Sequence, residues 1–271
     1  SPGGRGEGNV GEDIYALGIS IAFVGMGTNP VAGLNEGALL KAKVEQGTYT
    51  AICGNERMPT SLIEPVRGMV SDDPDERWGF EELEQWIAGQ RQTPIPRKTS
   101  PIALDALEFA GVPYMTARTL AHAFSQNVPE AAKTIKGGHL DDWLRRQLSD
   151  AKTADAVAES IKVAKVHETD PLGSDDFLVS KICIFLDTDG PIRYKGISYM
   201  LEGFGPCLAV EMLRRGEAQL PAESVLRGLP EIWLAAQSGG VSFVSVLEST
   251  FAQVRSFLVS TEIGYGIERC L

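Results

Sequence analysis

The side chains able to do chemistry are few and scattered. His122, His139 and His167 lie far apart, and none belongs to an H-E-x-x-H pair that could hold zinc. Cys53, Cys183, Cys207 and Cys270 form no C-x-x-C. Neither a zinc site nor a disulfide scaffold is expected from them, and buried free thiols in a reducing compartment are the better reading. Residues 6–11 spell G-x-G-x-x-G, but no strand precedes them to aim a helix N-terminus at a phosphate, and Glu7 adds an unhelpful negative charge. A flexible turn is expected there. Asp187-Thr188-Asp189-Gly190 matches a fragment of a calcium loop. Extending the match puts Phe185 at the first ligand position and Gly196 at the last, so a tight turn is expected instead. G-x-S-x-G is absent, and no lysine directly follows a glycine, which excludes a Walker A loop. Asp141-Asp142 and Asp175-Asp176 suit helix N-termini better than a general acid/base pair. No catalytic, cofactor-binding or metal-ligating residue is assigned.

The elements that would position any of these groups are helical. Residues 14–26 are apolar on every side, with Glu12 and Asp13 placed near the helix N-terminus, and such a helix is expected to be buried all round. Asn35 or Glu36 opens a second helix that closes near Gly47. Residues 61–69 carry Leu62, Ile63, Val66 and Met69 at helical spacing, residues 71–74 read as a turn with a ready cap, and Pro74 fits a helix first turn. Phe80, Leu83, Trp86 and Ile87 mark one face of a further helix ending at Gly89. Residues 92–101 are proline-rich and polar, the natural linker. Beyond it helices recur: Thr116 caps one, Pro129 sits in the first turn of the next, and Leu140, Trp143, Leu144 and Leu148 share a face. Further helices are expected over 154–166, 174–186, 204–214, 221–236 and 241–258, with a turn at 187–191 and a short strand within 192–199. No fixed period of the tandem helical arrays is present.

Charge and hydropathy narrow the function classes. The 271 residues carry 25 basic and 36 acidic side chains, a net charge of −11, so an anionic nucleic-acid backbone should be repelled. Glycines and Asn29 interrupt the uncharged stretch 14–35, and its strongly apolar part is too short to span a bilayer. No signal-peptide pattern opens the chain, which reads as cut from a longer, cytoplasmic one.

Two motifs in order carry a resemblance. Asp13-Ile14-Tyr15-Ala16-Leu17-Gly18 resembles the D-x-[WY]-[SA]-L-G opening of the central C-lobe helix of eukaryotic-like (Hanks-type) serine/threonine protein kinases. Residues 62–78 resemble the leucine-rich helix, the D-P-x-x-R turn and the start of the last helix of that lobe, and residues 36–47 are similar to the helix between them. The resemblance covers the first third of the chain. It implies that Asp13, Gly18, Arg77 and Trp78 are structural landmarks, with Asp13 holding the catalytic loop and Arg77 pairing with the A-P-E glutamate. The spacing puts Gly3 where that glutamate should stand. The catalytic Lys, H-R-D and D-F-G elements are missing, so ATP and magnesium belong only to an upstream part, were that an active kinase; in that case the helix over 36–47 would help dock substrate proteins.

These readings give a mainly α fold: a partial kinase-like C-lobe over 1–91, a linker over 92–101 and an all-helical domain over 102–271. The expected function is that of a non-catalytic C-terminal region of a bacterial kinase-like or pseudokinase protein, acting in regulation or protein–protein interaction. Its partners would be proteins and its own upstream part, with no nucleic acid and no membrane. Arg193, Tyr194 and Lys195, an aromatic between two cations, form a candidate contact loop. The alternative is an unrelated all-helical adaptor. An enzyme of another class with a scattered site would need a deep polar pocket.

Overall fold

A computed structural model describes residues 8–29, 31–54, 57–94, 101–166, 174–216, 218–237 and 244–259. The described chain is mainly helical and divides into two compact units, one over Gly8–Ile102 and one beginning at Ala103. Residues 1–7, most of the proline-rich stretch, His167 and Cys270 lie outside the described residues, and with them the start of the G-x-G-x-x-G match.

In the first unit, α1 (Val10–Met26) opens two residues before the acidic pair, which falls in its first turn, because the Asn9 side chain accepts from the Glu12 N–H at 3.0 Å. It ends at Gly27, whose φ of +69° is the left-handed conformation that closes helices. Asn35 caps α2 (Glu36–Gln46) as expected. A short α3 (Thr48–Cys53) follows, which the sequence pattern did not announce. Then come α4 (Thr60–Met69) and α5 (Phe80–Ile87). Pro74 lies in a turn between the last two, not in a helix.

The expectation of all-round burial for α1 is not met. Ile14, Gly18 and Ala22 are buried along one side, where α4 and α3 pack. On the other side Val10, Leu17 and Val24 are 53%, 50% and 83% exposed. The reason is geometric: small residues at 18 and 22 let α4 come close on one face, and among the described residues of this unit no element covers the opposite one. A Cβ on Gly18 would stand 2.7 Å from the Met69 Cβ. The core of this unit is correspondingly small, built on Ala22, Ile52, Cys53, Val66 and Val70. The apolar face of α5 is also left open at Phe80 and Ile87.

The second unit is larger and less purely helical than expected. It begins with a hairpin, β1 (Leu107–Phe109) paired antiparallel with β2 (Val112–Tyr114). Then follow α6 (Ala117–Gln126), α7 (Val128–Lys136), α8 (His139–Arg146) and α9 (Ala151–Val166). After residues 167–173 comes α10 (Asp175–Leu186), capped by Ser174. A second hairpin, β3 (Ile192–Tyr194) with β4 (Ile197–Tyr199), falls where residue alternation suggested a strand. A single 3-10 turn leads to α11 (Phe204–Arg215), α12 (Gln219–Leu226), α13 (Leu229–Ala236) and α14 (Val244–Val259). The single helix expected over 221–236 is two, broken at Gly228, whose φ is +76°.

α10 is the helix buried on all sides. Leu178, Val179, Ile182, Cys183 and Leu186 belong to a core with α6–α9 and β1. Phe177 and Ile184 belong to a second core with the β3–β4 hairpin and α11–α14. α6, α7, α9, β3 and α13 all pack against it.

Candidate functional site

The four kinase-like landmarks have defined local roles. Asp13 is exposed in the first turn of α1, where a negative charge suits the helix dipole. Gly18 permits the close crossing of α1 and α4. Trp78 is 5% exposed and lies over Gly68, where any Cβ would run into the indole at 2.2 Å. Arg77 donates from Nε to the Ser71 carbonyl and from Nη1 to the Gly11 carbonyl, both at 3.1 Å, and its guanidinium sits 5.0 Å from the Tyr15 ring centroid. The same loop is tied down through Asp72, which accepts from Thr48 Oγ1 at 2.6 Å and from the Thr48 N–H at 3.0 Å. Thr48 in turn contacts the Tyr15 hydroxyl at 3.1 Å. The 71–78 segment thus clamps the start of α1 to α3 through carbonyl, ring and hydroxyl contacts.

Arg193, Tyr194 and Lys195 lie in the second hairpin, with Lys195 and Gly196 at φ +46° and +85° as its turn. The structure turns all three toward the protein. Arg193 Nη2 donates to Asp187 Oδ2 at 2.7 Å, and Arg118 Nε meets the other Asp187 oxygen at 3.2 Å. Asp187 closes the 187–191 turn and is buried. Buried carboxylates persist when paired in this way. The Tyr194 hydroxyl donates to Glu223 Oε1 at 2.8 Å, Lys195 Nζ lies 3.0 Å from both Glu223 oxygens, and Arg227 completes the cluster. Burial alone would raise the Glu223 carboxyl, but the hydrogen bonds from Lys195, Tyr194 and Arg227 outweigh it and hold it below its usual range. Burial and that same carboxylate push the Tyr194 phenol upward. These side chains weld the hairpin to α12.

What sequence reading missed is that the second unit is internally duplicated. Leu107, Phe109, Gly111, Tyr114 and Met115 recur as Ile192, Tyr194, Gly196, Tyr199 and Met200, a constant 85 positions on. Both hairpins turn through two consecutive positive-φ residues, Ala110-Gly111 and Lys195-Gly196. From the next helix pair onward the offset becomes 90: Ala132, Ile135, Gly138, Trp143 and Leu144 recur as Ala222, Val225, Gly228, Trp233 and Leu234. Gly138 and Gly228 cap α8 and α13 at φ +84° and +76°. The same hydrogen bond closes each copy: Trp143 Nε1 donates to the Asp105 carbonyl and Trp233 Nε1 to the Gly190 carbonyl, both at 2.8 Å. Asp105 and Gly190 each lie two residues before their first strand. Each module is thus a hairpin whose entry is pinned by a tryptophan from its third helix. The signal was present as F-A-G-V-P-Y-M against Y-K-G-I-S-Y-M, and D-W-L against I-W-L. The longer approach to and length of α11 change the spacing partway through, which hid any single period.

The buried thiols fit a structural role. Burial pushes Cys183 up to about 12 and Cys207 up to about 11, and Cys53 upward, so none is poised as a thiolate. Among the described residues no group of three or more His, Cys, Asp or Glu side chains could hold a metal ion, and no helix is long and apolar enough to cross a membrane. The three helices that follow the hairpin in the first module and grip α10, namely α6, α7 and α9, have α11, α12 and α14 as their counterparts. That surface of the second module is the candidate site. No family model, no curated protein and no solved structure matches the chain.

Proposed function

We propose that this chain is a protein-interaction region, the non-catalytic C-terminal part of a bacterial, cytoplasmic kinase-like protein acting in signalling or regulation. The observation that carries the interaction reading is the duplicated hairpin–helix module. Tandem modules extend a surface by stacking, and such surfaces serve binding. The tight ionic clusters at Asp187 and Glu223 hold the second hairpin in place, which leaves the outer helix faces to meet partners. Support for the kinase-like portion comes from the order and spacing of the Asp13–Gly18 and 62–78 motifs, which the Arg77 bonds to Gly11 and the Gly18–Met69 crossing draw together in one small unit.

The test is incubation of the purified chain with ATP and magnesium. Neither nucleotide affinity nor phosphotransfer is expected, because the lysine and aspartates that arrange charge around a γ-phosphate are absent from the sequence. Measurable turnover ends this reading. A second reading, an unrelated helical adaptor, is favoured by the open side of α1. A cysteine at position 17 separates the two. On a longer chain carrying the upstream lobe it becomes unreactive to thiol reagents under the kinase-like reading and stays reactive under the adaptor one.

A further inference from the structure

We infer that the second module binds, in trans, an apolar partner helix with an acidic first turn, in the position that α10 occupies on the first. This deepens the interaction reading above and rests on it. In the first module α10 lies against α6, α7 and α9. It approaches closely enough for Cys183 Sγ to contact the Ala121 carbonyl at 3.2 Å. Its direction is fixed at both ends: Asp187, just past its C-terminus, pairs with Arg118 in the first turn of α6, and Asp175, at its N-terminus, pairs with Lys136 at the end of α7.

Among the described residues nothing stands in that position on the second module, and its surface has the matching character. Among the described side chains from residue 192 onward, the exposed large apolar residues are Met212 and Leu213 on α11, Leu226 on α12 and Val246 on α14. These are the three counterparts of the helices that grip α10. Leu213 is 87% exposed, whereas α6 and α7 expose no large apolar residue and α9 only Val166 at its last position. Gly205 and the exposed Ala209 lie on the same side of α11 as Met212, and a Cβ on Gly205 would meet nothing within 4 Å, so a helix backbone can come close there. A helix entering in the direction of α10 brings its first turn to the exposed Arg214 at the C-terminal end of α11. Residues 209, 212 and 213 share one face of α11, against which the apolar face of the partner helix would lie.

The probe is a fluorescent peptide of residues 174–187 carrying Cys183→Ser, titrated with the full chain and followed by anisotropy. Saturable binding is expected, weakened at least tenfold by Leu213→Asp and unaffected by a charge reversal at the remote Asp155. Position 213 is so exposed that the variant should keep the parent's circular dichroism and melting curve, and this is checked alongside. Three results overturn the proposal: no binding, equal binding of a scrambled peptide, or binding indifferent to Leu213→Asp, which would mean invasion of the first module. Binding only after removal of residues 260–271 also overturns it, since the groove would then belong to the chain's own end. ATP turnover, by contrast, would strike the kinase-like reading and leave this result intact.

Discussion

α1 and α10 are both apolar helices with acids in the first turn, yet they have opposite fates. α1 is 17 residues long and buries three of them. α10 is 12 residues long and buries eight, including Ser180. An apolar circumference permits burial without enforcing it; what decides is how many elements the rest of the chain can bring around the helix. α10 is met by elements from both modules. Among the described residues of its own unit, α1 is met on one side only, and the longest other helix there has 11 residues.

The contrast can be broken by substitution, and the largest effect is expected inside α10. Ile182→Asp places an unpaired carboxylate in a fully buried position and should cost about 4 kcal/mol or more, unfolding the unit that begins at Ala103. A denaturant titration that keeps its midpoint would show that α10 is not the hub. Next come the two tryptophans. Trp143→Phe and Trp233→Phe each orphan a carbonyl and should each cost about 1–3 kcal/mol, with similar size if the modules are true copies. Strongly unequal losses would argue against equivalent roles. Gly18→Val overpacks the α1–α4 crossing and should cost about 1–3 kcal/mol, read as a lower melting temperature of the first unit.

The buried Cys183 thiol gives α10 a pH signature. Its value is raised from 9.0 to about 12, so its contribution is complete below pH 9, where the unfolded thiol is also protonated, and is lost as pH rises toward 12. Stability should therefore fall between pH 9 and pH 11, by on the order of 1 kcal/mol, and this loss should be absent from Cys183→Ala. The smallest effect belongs to α1: Leu17→Ser, on its open side, should move stability by no more than about 0.5 kcal/mol. A large loss there would mean that this face is covered after all.

Much of the local structure was legible because it rests on short-range chemistry. The Asn35 and Thr116 caps, Pro129 in a first turn, and the 187–191 turn are each decided within four residues. The surface of α1 was not legible, since its exposure depends on elements absent from its own pattern. The pairings of Arg193, Tyr194 and Lys195 were not legible for a similar reason: Asp187 and Glu223 reach them from other elements. The duplication was legible in principle. Its two offsets, 85 and 90, required comparing hairpin with hairpin and helix pair with helix pair instead of seeking one period.

Because Phe177 and Ile184 point into one core while Leu178 and Ile182 point into the other, the same short rod is a wall shared by two rooms. Neither copy of the duplicated module can be cut free with a complete interior. Heating should therefore melt the whole region after Ala103 in one step, and evolution could lengthen such a chain only by adding a rod together with each new room.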